Sequence, residues 1–525
     1  MATVRLFFTF LMFGIAWFTM IAVIYFVYHE SKLPAAVESK RAIMEIGVRE
    51  SLTGDFEDIS KDDTSKDAKP RGANKEIYSG DEDEDMLELD DTITRYGPGE
   101  NGQPVRLYGE KEEEGKAKWG LHNYNVVVSG IISLQRTLKD VRDERCMGLS
   151  YQRYDLPTAS VIIAFHNEAW TVLIRMVYSI YNRTPEDLLQ EIILVDDASD
   201  EEELCNKLEH IPRKVRSKVR QVHTTRRLGV VKAQMEGAKV AIGDVVVFMD
   251  SKCEVHRQWL EPLLGLIHHD QSVLVSPVID RIHPDTFEYQ SSPLSFGIFT
   301  WDLGFKWSPL SKADLAERRQ KAKPYRSPAV SSSVFAISRQ YLSNLGGLDV
   351  GMEDLKASQS AAMEMSMKVW MCGGTVRVAP CSRVGQIMTA PPKSALVDLD
   401  ETAERRNRVR IAEAWMDEYA KHFYTVLPLA ANSFYGNISS QLQLRNRLQC
   451  HHFNWYLNNV FPSLLATSHD RLIAWGQCSN KGSSLCLDTL SADEGKPLGI
   501  AKCQSTSNTQ GVDTCIVILE YQQKD

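Results

Sequence analysis

The chain opens on an uncharged apolar run, Leu6 to Tyr28, 23 residues long. At about 1.5 Å per residue, a helix of that length crosses a hydrocarbon core of roughly 30 Å. A cleavable signal peptide has an apolar region of about 7–15 residues and a small-residue cleavage site. This run is longer and ends in Tyr25, Phe26, Val27 and Tyr28. The pattern predicts a cytoplasmic tail over 1–5, a transmembrane signal anchor over 6–28, and a lumenal bulk behind a tail too short to hold it back. Arg5 before the run and Lys32 after it mark the orientation only weakly.

Residues 29–118 are polar and include the acidic run Asp81-Glu82-Asp83-Glu84-Asp85. Low hydrophobicity and like charge oppose burial. The segment is read as a lumenal stem; an acidic tail for metal or a basic partner is the other reading.

From Ser160 the pattern changes. Ser160 to Phe165 is a short apolar run, as expected of a strand buried on both faces. An amphipathic helix follows over Trp170 to Tyr181, then a strand over Ile192 to Val195 and a helix over 200–210. The series continues with a strand over Val219 to Thr224, a helix over Val230 to Val240 and a strand over Val245 to Met249. The alternation predicts an α/β fold with a mostly parallel sheet covered on both faces. Ligands of such sheets bind beyond the carboxyl ends of the strands, where Asp197 and Asp250 stand. Each Asp also suits the cap of the next helix.

Composition narrows the classes. The 525 residues carry a net charge of −9, with 43% hydrophobic and 25% charged side chains. These values suit a globular chain and lack the basic footprint of a nucleic-acid binder. All ten cysteines lie at or after Cys146, which suits an oxidising compartment, and none forms a Cys-X-X-Cys pair. Asn182-Arg183-Thr184 and Asn437-Ile438-Ser439 are N-glycosylation sequons. No Walker loop or Ser-His-Asp signature offers a competing chemistry.

Eight segments carry a resemblance: Asp143-Glu144-Arg145-Cys146, Phe165-His166-Asn167-Glu168-Ala169, Ile193-Leu194-Val195-Asp196-Asp197, Trp259-Leu260-Glu261-Pro262-Leu263-Leu264, Asp285-Thr286-Phe287-Glu288-Tyr289, Trp370-Met371-Cys372-Gly373-Gly374, Ser382-Arg383-Val384-Gly385 and Ala414-Trp415-Met416-Asp417-Glu418-Tyr419. In order and at similar spacing, they resemble the polypeptide N-acetylgalactosaminyltransferases. That family starts mucin-type O-glycosylation in the Golgi, transferring GalNAc from UDP-GalNAc to Ser or Thr of polypeptides with Mn²⁺. The resemblance implies a type II Golgi membrane protein with a GT-A (Rossmann-like) catalytic domain over 119–445, a linker over 446–470 and a partial ricin B-type lectin domain over 471–525. It also implies the disulfides Cys146–Cys381, Cys372–Cys450 and Cys486–Cys503.

The departures fall on the metal. The family's Mn²⁺ ligands are an Asp-X-His motif at a strand end and the His of Val-Gly-His. This chain reads Asp250-Ser251-Lys252 and Val384-Gly385-Gln386. Asp250 is retained, while Lys252 and Gln386 replace both imidazoles. An ammonium has no lone pair and repels a cation, and a neutral amide is a poor ligand. Without the ion, charge developing on UDP lacks a major stabiliser. Further stretches differ from the family. Residues 355–362 replace Trp-Gly-Gly-Glu-Asn and leave Glu364 as the nearest acid. Ser331-Ser332-Ser333 replaces Ala-Gly-Gly. Met388-Thr389 replaces the family's Phe-Arg pair, Ala390-Pro391-Pro392 replaces the loop that closes over the nucleotide, and Lys232 and Gln234 replace two Arg.

Ala164, Asp197, Arg227, Asp250 and Ser251 match nucleotide-sugar positions, with Ala164 replacing a frequent Thr. They read either as a remnant UDP site or as residues that pin loops and helix starts. A further expectation is that Lys252 offers a fixed charge to a diphosphate in place of the ion. About one lectin repeat is present, and Asp488 matches its sugar-binding acid; one unclosed repeat is not expected to bind sugar. The leading expectation is an inactive, metal-free relative (a pseudoenzyme) that meets polypeptides, glycopeptides or UDP. The alternatives are an active transferase with altered metal use and a lumenal binding protein.

Overall fold

The computed structural model describes residues 95–200, 211–311, 315, 322–352, 358–389, 400–466, 485–488 and 499–502. The expected anchor over 6–28 and the helix over 200–210 lie outside these residues, the latter apart from Asp200. No described helix is long and apolar enough to cross a membrane.

The strands are β1 (Ala159–Phe165), β2 (Leu189–Asp196), β3 (Val219–His223), β4 (Val245–Asp250), β5 (Cys253–Val255), β6 (Val273–Ile282), β7 (Tyr289–Gln290), β8 (Ser295–Phe299), β9 (Phe305–Pro309), β10 (Tyr325–Arg326), β11 (Val334–Ser338), β12 (Thr375–Ile387), β13 (Leu485–Asp488) and β14 (Gly499–Lys502). The main sheet runs β10-β12-β6-β11-β4-β1-β2-β3, with β5 on β12 and β7 on β6. β3, β2, β1 and β4 are parallel neighbours, and β12 lies parallel to β6. β11 is antiparallel to both β4 and β6. The sheet is therefore mixed and mostly parallel, the GT-A arrangement.

Every residue of β1 is buried, and its side chains alternate between two cores, as the pleat requires. Val161 and Ile163 join Leu173 and Val177 of the helix Trp170–Arg183 and Leu263 of the helix Glu261–His269. Ile162 and Ala164 face Val231 of the helix Val230–Val240, Trp370 of the helix Ser358–Met371 and Trp415 of the helix Asp400–Trp415. Gly237 sets one of these distances: a Cβ there would stand 2.6 Å from Ile162 Cγ2.

Two covalent ties follow the pairing that the resemblance implied. Cys146 is bonded to Cys381 and Cys372 to Cys450. Cys503 lies outside the described residues, and Cys253 is a buried free thiol. The expected boundary at 118/119 falls inside a helix. The helix Glu110–His122 crosses it, and Glu100 is buried with Oε2 accepting from Thr137 N at 2.8 Å. The charge pattern of that segment hides this tertiary anchor. In the expected lectin region, β13 and β14 form an antiparallel pair, Leu485 opposite Lys502 and Asp488 opposite Gly499.

Candidate functional site

The carboxyl ends of β1, β2 and β4 converge, because parallel pairing sets Ala164 beside both Val195 and Asp250. The two positions that lost their imidazoles are neighbours. Gln386 of β12 pairs with Cys253 of β5, and Ile387 N donates to Lys252 O at 2.9 Å. Asp250 N donates to Ser333 O at 2.8 Å and ties the Ser-rich turn to the same place.

Lys252 is held by two carboxylates. Its Nζ stands 3.7 Å from Glu168 Oε2 and 3.8 Å from Asp250 Oδ1. The Asp250 charge, foremost, and that of Glu168 push the lysine above its ordinary range, so it stays an ammonium. Asp250 Oδ1 also accepts from Lys252 N at 2.9 Å. The three side chains together carry one net negative charge, so Lys252 does not stand free to face a diphosphate.

Glu168 is the hub that sequence reasoning passed over, although it stands in a quoted segment. Its Oε2 accepts from Ser251 Oγ at 2.6 Å, and its Oε1 accepts from the buried Tyr124 hydroxyl at 2.5 Å. Burial, before the Glu168 charge, pushes Tyr124 up, so the phenol keeps its proton and donates it to Glu168.

Gln386 is also engaged. Its Oε1 accepts from Ser333 Oγ at 2.6 Å, and Ser333 Oγ lies 2.7 Å from Ser331 Oγ. Gln359 closes the turn from the helix Ser358–Met371, accepting from Ser332 N at 3.2 Å. No residue of 331–333 has a positive φ, so the turn has no need of glycine.

Asp197 spends its charge on the protein itself. Oδ1 accepts from Leu228 N at 2.7 Å and Thr224 Oγ1 at 3.1 Å. Oδ2 accepts from Gly229 N at 2.8 Å and Arg227 Nη1 at 3.0 Å. Gly229, at φ 87°, caps the helix Val230–Val240 and turns its amide inward. These contacts tie the loop after β3 to Asp197.

Residues 160–346 match the model of glycosyl transferase family 2. The chain is 36% identical over 417 residues to human polypeptide N-acetylgalactosaminyltransferase 13, covering 79% of this chain and 74% of that one. The chain belongs to the polypeptide N-acetylgalactosaminyltransferase family. It is also 37% identical over 394 residues to mouse inactive polypeptide N-acetylgalactosaminyltransferase-like protein 5, covering 73% of this chain and 90% of that one. A crystal structure of GalNAc-T7 with UDP, GalNAc and Mn²⁺ superposes with a TM-score of 0.67 at 32% identity, covering 79% of this chain and 77% of that one.

Within this family fold, Glu364 does not reach the strand ends. It is buried, paired with Lys368 at 3.0 Å, and accepts from Trp415 Nε1 at 3.0 Å. Burial pushes its carboxyl up to about 7, against the Lys368 charge. Lys368 Nζ also donates to Gly347 O at 2.8 Å. This cluster joins the helix Ser358–Met371 to the helix Asp400–Trp415. Met388 is exposed beyond β12, and 390–392 lie outside the described residues. The backbone of Asp488 ends β13.

Proposed function

We propose that this protein is a family member that binds no manganese at the strand end and transfers no GalNAc. The observation that carries the reading is the Lys252 ammonium set between Asp250 and Glu168. Asp250 is the one anionic ligand left of the family's set, and a cation already neutralises it. The Gln386 oxygen is satisfied by Ser333, and an ammonium beside the site repels a second cation. The residues present do not fit Mn²⁺, so no catalytic step is derived through it. Among the described residues, no cluster of three or more His, Cys, Asp or Glu is arranged to hold a metal.

The location belongs to the same proposal. The apolar run 6–28 anchors the chain in the Golgi membrane with its bulk in the lumen, and the two disulfides suit that compartment. What is left for the protein is recognition of polypeptide or glycopeptide, and the sequence of 471–525 is read as resembling a lectin-type repeat. The test is incubation of the full chain with labelled UDP-GalNAc, Mn²⁺ and Ser/Thr-rich peptides, beside an active relative. No incorporation is expected; incorporation that depends on Mn²⁺ would overturn the proposal.

A further inference from the structure

We propose that Asn437, and not Asn182, accepts an N-linked glycan; this rests on the lumenal placement above. The two sequons look alike in sequence, and the structure separates them.

Asn182 lies in the last turn of the helix Trp170–Arg183, and its Nδ2 donates to Gln135 Oε1 at 3.1 Å. The hydroxyl side of this sequon is buried as well. Thr184 Oγ1 accepts from Trp259 Nε1 at 2.9 Å, and Arg183 and Thr184 are both buried. Pro185 follows, and Thr184 is extended at φ −119°, ψ 127°, as a residue before proline prefers. A glycan on Asn182 would displace Gln135 and hold open the packing of this helix.

Asn437 has the opposite environment. Gly436, at φ 74°, turns the chain, and Arg410 Nη1 donates to the carbonyls of Tyr435 at 2.8 Å and Asn437 at 3.1 Å. The same guanidinium is held by Asp349 through Nε and Nη2, at 3.0 and 2.9 Å. The backbone of this sequon is anchored while the side chains of Asn437 and Ser439 stay exposed. Asn437 Oδ1 accepts from Ser439 N at 2.8 Å, an Asx turn at the start of the helix Ser439–Arg447. Nδ2 donates to no described residue. The turn is closed within three residues, so it can form before the chain has folded. Phe434, three residues upstream, is 82% exposed with the Arg406 guanidinium 5.8 Å from its ring, an apolar face for a sugar to cover.

In the transfer, Asn437 Nδ2 attacks the anomeric carbon of a lipid-linked oligosaccharide diphosphate. The N–C bond forms as the C–O bond to the diphosphate breaks. The diphosphate leaves with the electron pair, and the amide loses one proton to the transferring enzyme.

The test is pulse-labelling of the full chain in a secretory cell line, followed by peptide:N-glycosidase digestion. A sequon tag appended to the C-terminus reports topology separately. The untagged wild type and Asn182→Gln should each lose one glycan on digestion, and Asn437→Gln none. Retention of the shift in Asn437→Gln, or its loss in Asn182→Gln, would overturn the assignment. A modified tag beside an unmodified Asn437 would overturn the assignment and leave the lumenal placement standing. No modification at either place would overturn both.

Discussion

The Lys252 ammonium stands 3.8 Å from the Asp250 carboxylate and joins two residues of one strand-end motif. The second carboxylate, Glu168, lies 3.7 Å from the same nitrogen and comes from the end of β1. A charge carried by the chain thus offsets one of the two anionic groups at the strand ends. Such a charge is fixed in number and cannot be exchanged for a metal.

Removal of that charge is the first test. Lys252→Ala would leave Glu168 and Asp250 facing each other without a cation. The lysine side chain is 26% exposed, so the loss is smaller than for a fully buried pair, about 1–2 kcal/mol. The melting temperature of the variant should fall, and Mn²⁺ should raise it again, while the wild type stays insensitive to the ion. Equal responses of both proteins in thermal melts would count against the pairing.

Asp197 tests loop pinning against nucleotide binding. Asp197→Ala strips the acceptor from Leu228 N, Gly229 N, Thr224 and Arg227 at once. A loss of about 2–3 kcal/mol is expected, a fall of roughly 3–4 °C in melting temperature for a folded body of this size. A variant that melts like the wild type would show that these bonds do not hold the fold.

Glu364 gives a pH dependence. Its folded carboxyl titrates at about 7 because burial disfavours the charged form, against about 4.3 when unfolded. The folded state therefore binds the proton more tightly. The stability this contributes is fully present below the unfolded value and is lost as pH rises through about 7. Measured against Glu364→Gln, which cannot titrate, the wild type should lose stability from pH 5 to pH 8. A difference between the two that stays constant over this range would contradict the assignment.

Much of the sheet was legible. The helix Val230–Val240 has the expected bounds, because Gly229 marks its start and apolar residues repeat along one face. β1 and β4 read correctly as unbroken apolar runs between polar ends. The start of the folded body was not legible: Glu110 to Glu114 looks solvated, and only Gly115 of that helix is buried. The loss of the imidazoles at 252 and 386 was plain in the sequence. What replaces them was not, since Tyr124, Glu168 and Ser251 meet only through the fold. The same holds for Ser333 on Gln386. No local period encodes such contacts.

The most direct test is calorimetric titration of the full chain with Mn²⁺, alone and with UDP-GalNAc present, beside the variant Lys252→His/Gln386→His. No Mn²⁺ binding and no Mn²⁺-dependent nucleotide binding are expected in the wild type, and a gain of Mn²⁺ binding in the variant, where two imidazoles join Asp250. Saturable, Mn²⁺-dependent binding of UDP-GalNAc by the wild type would contradict it.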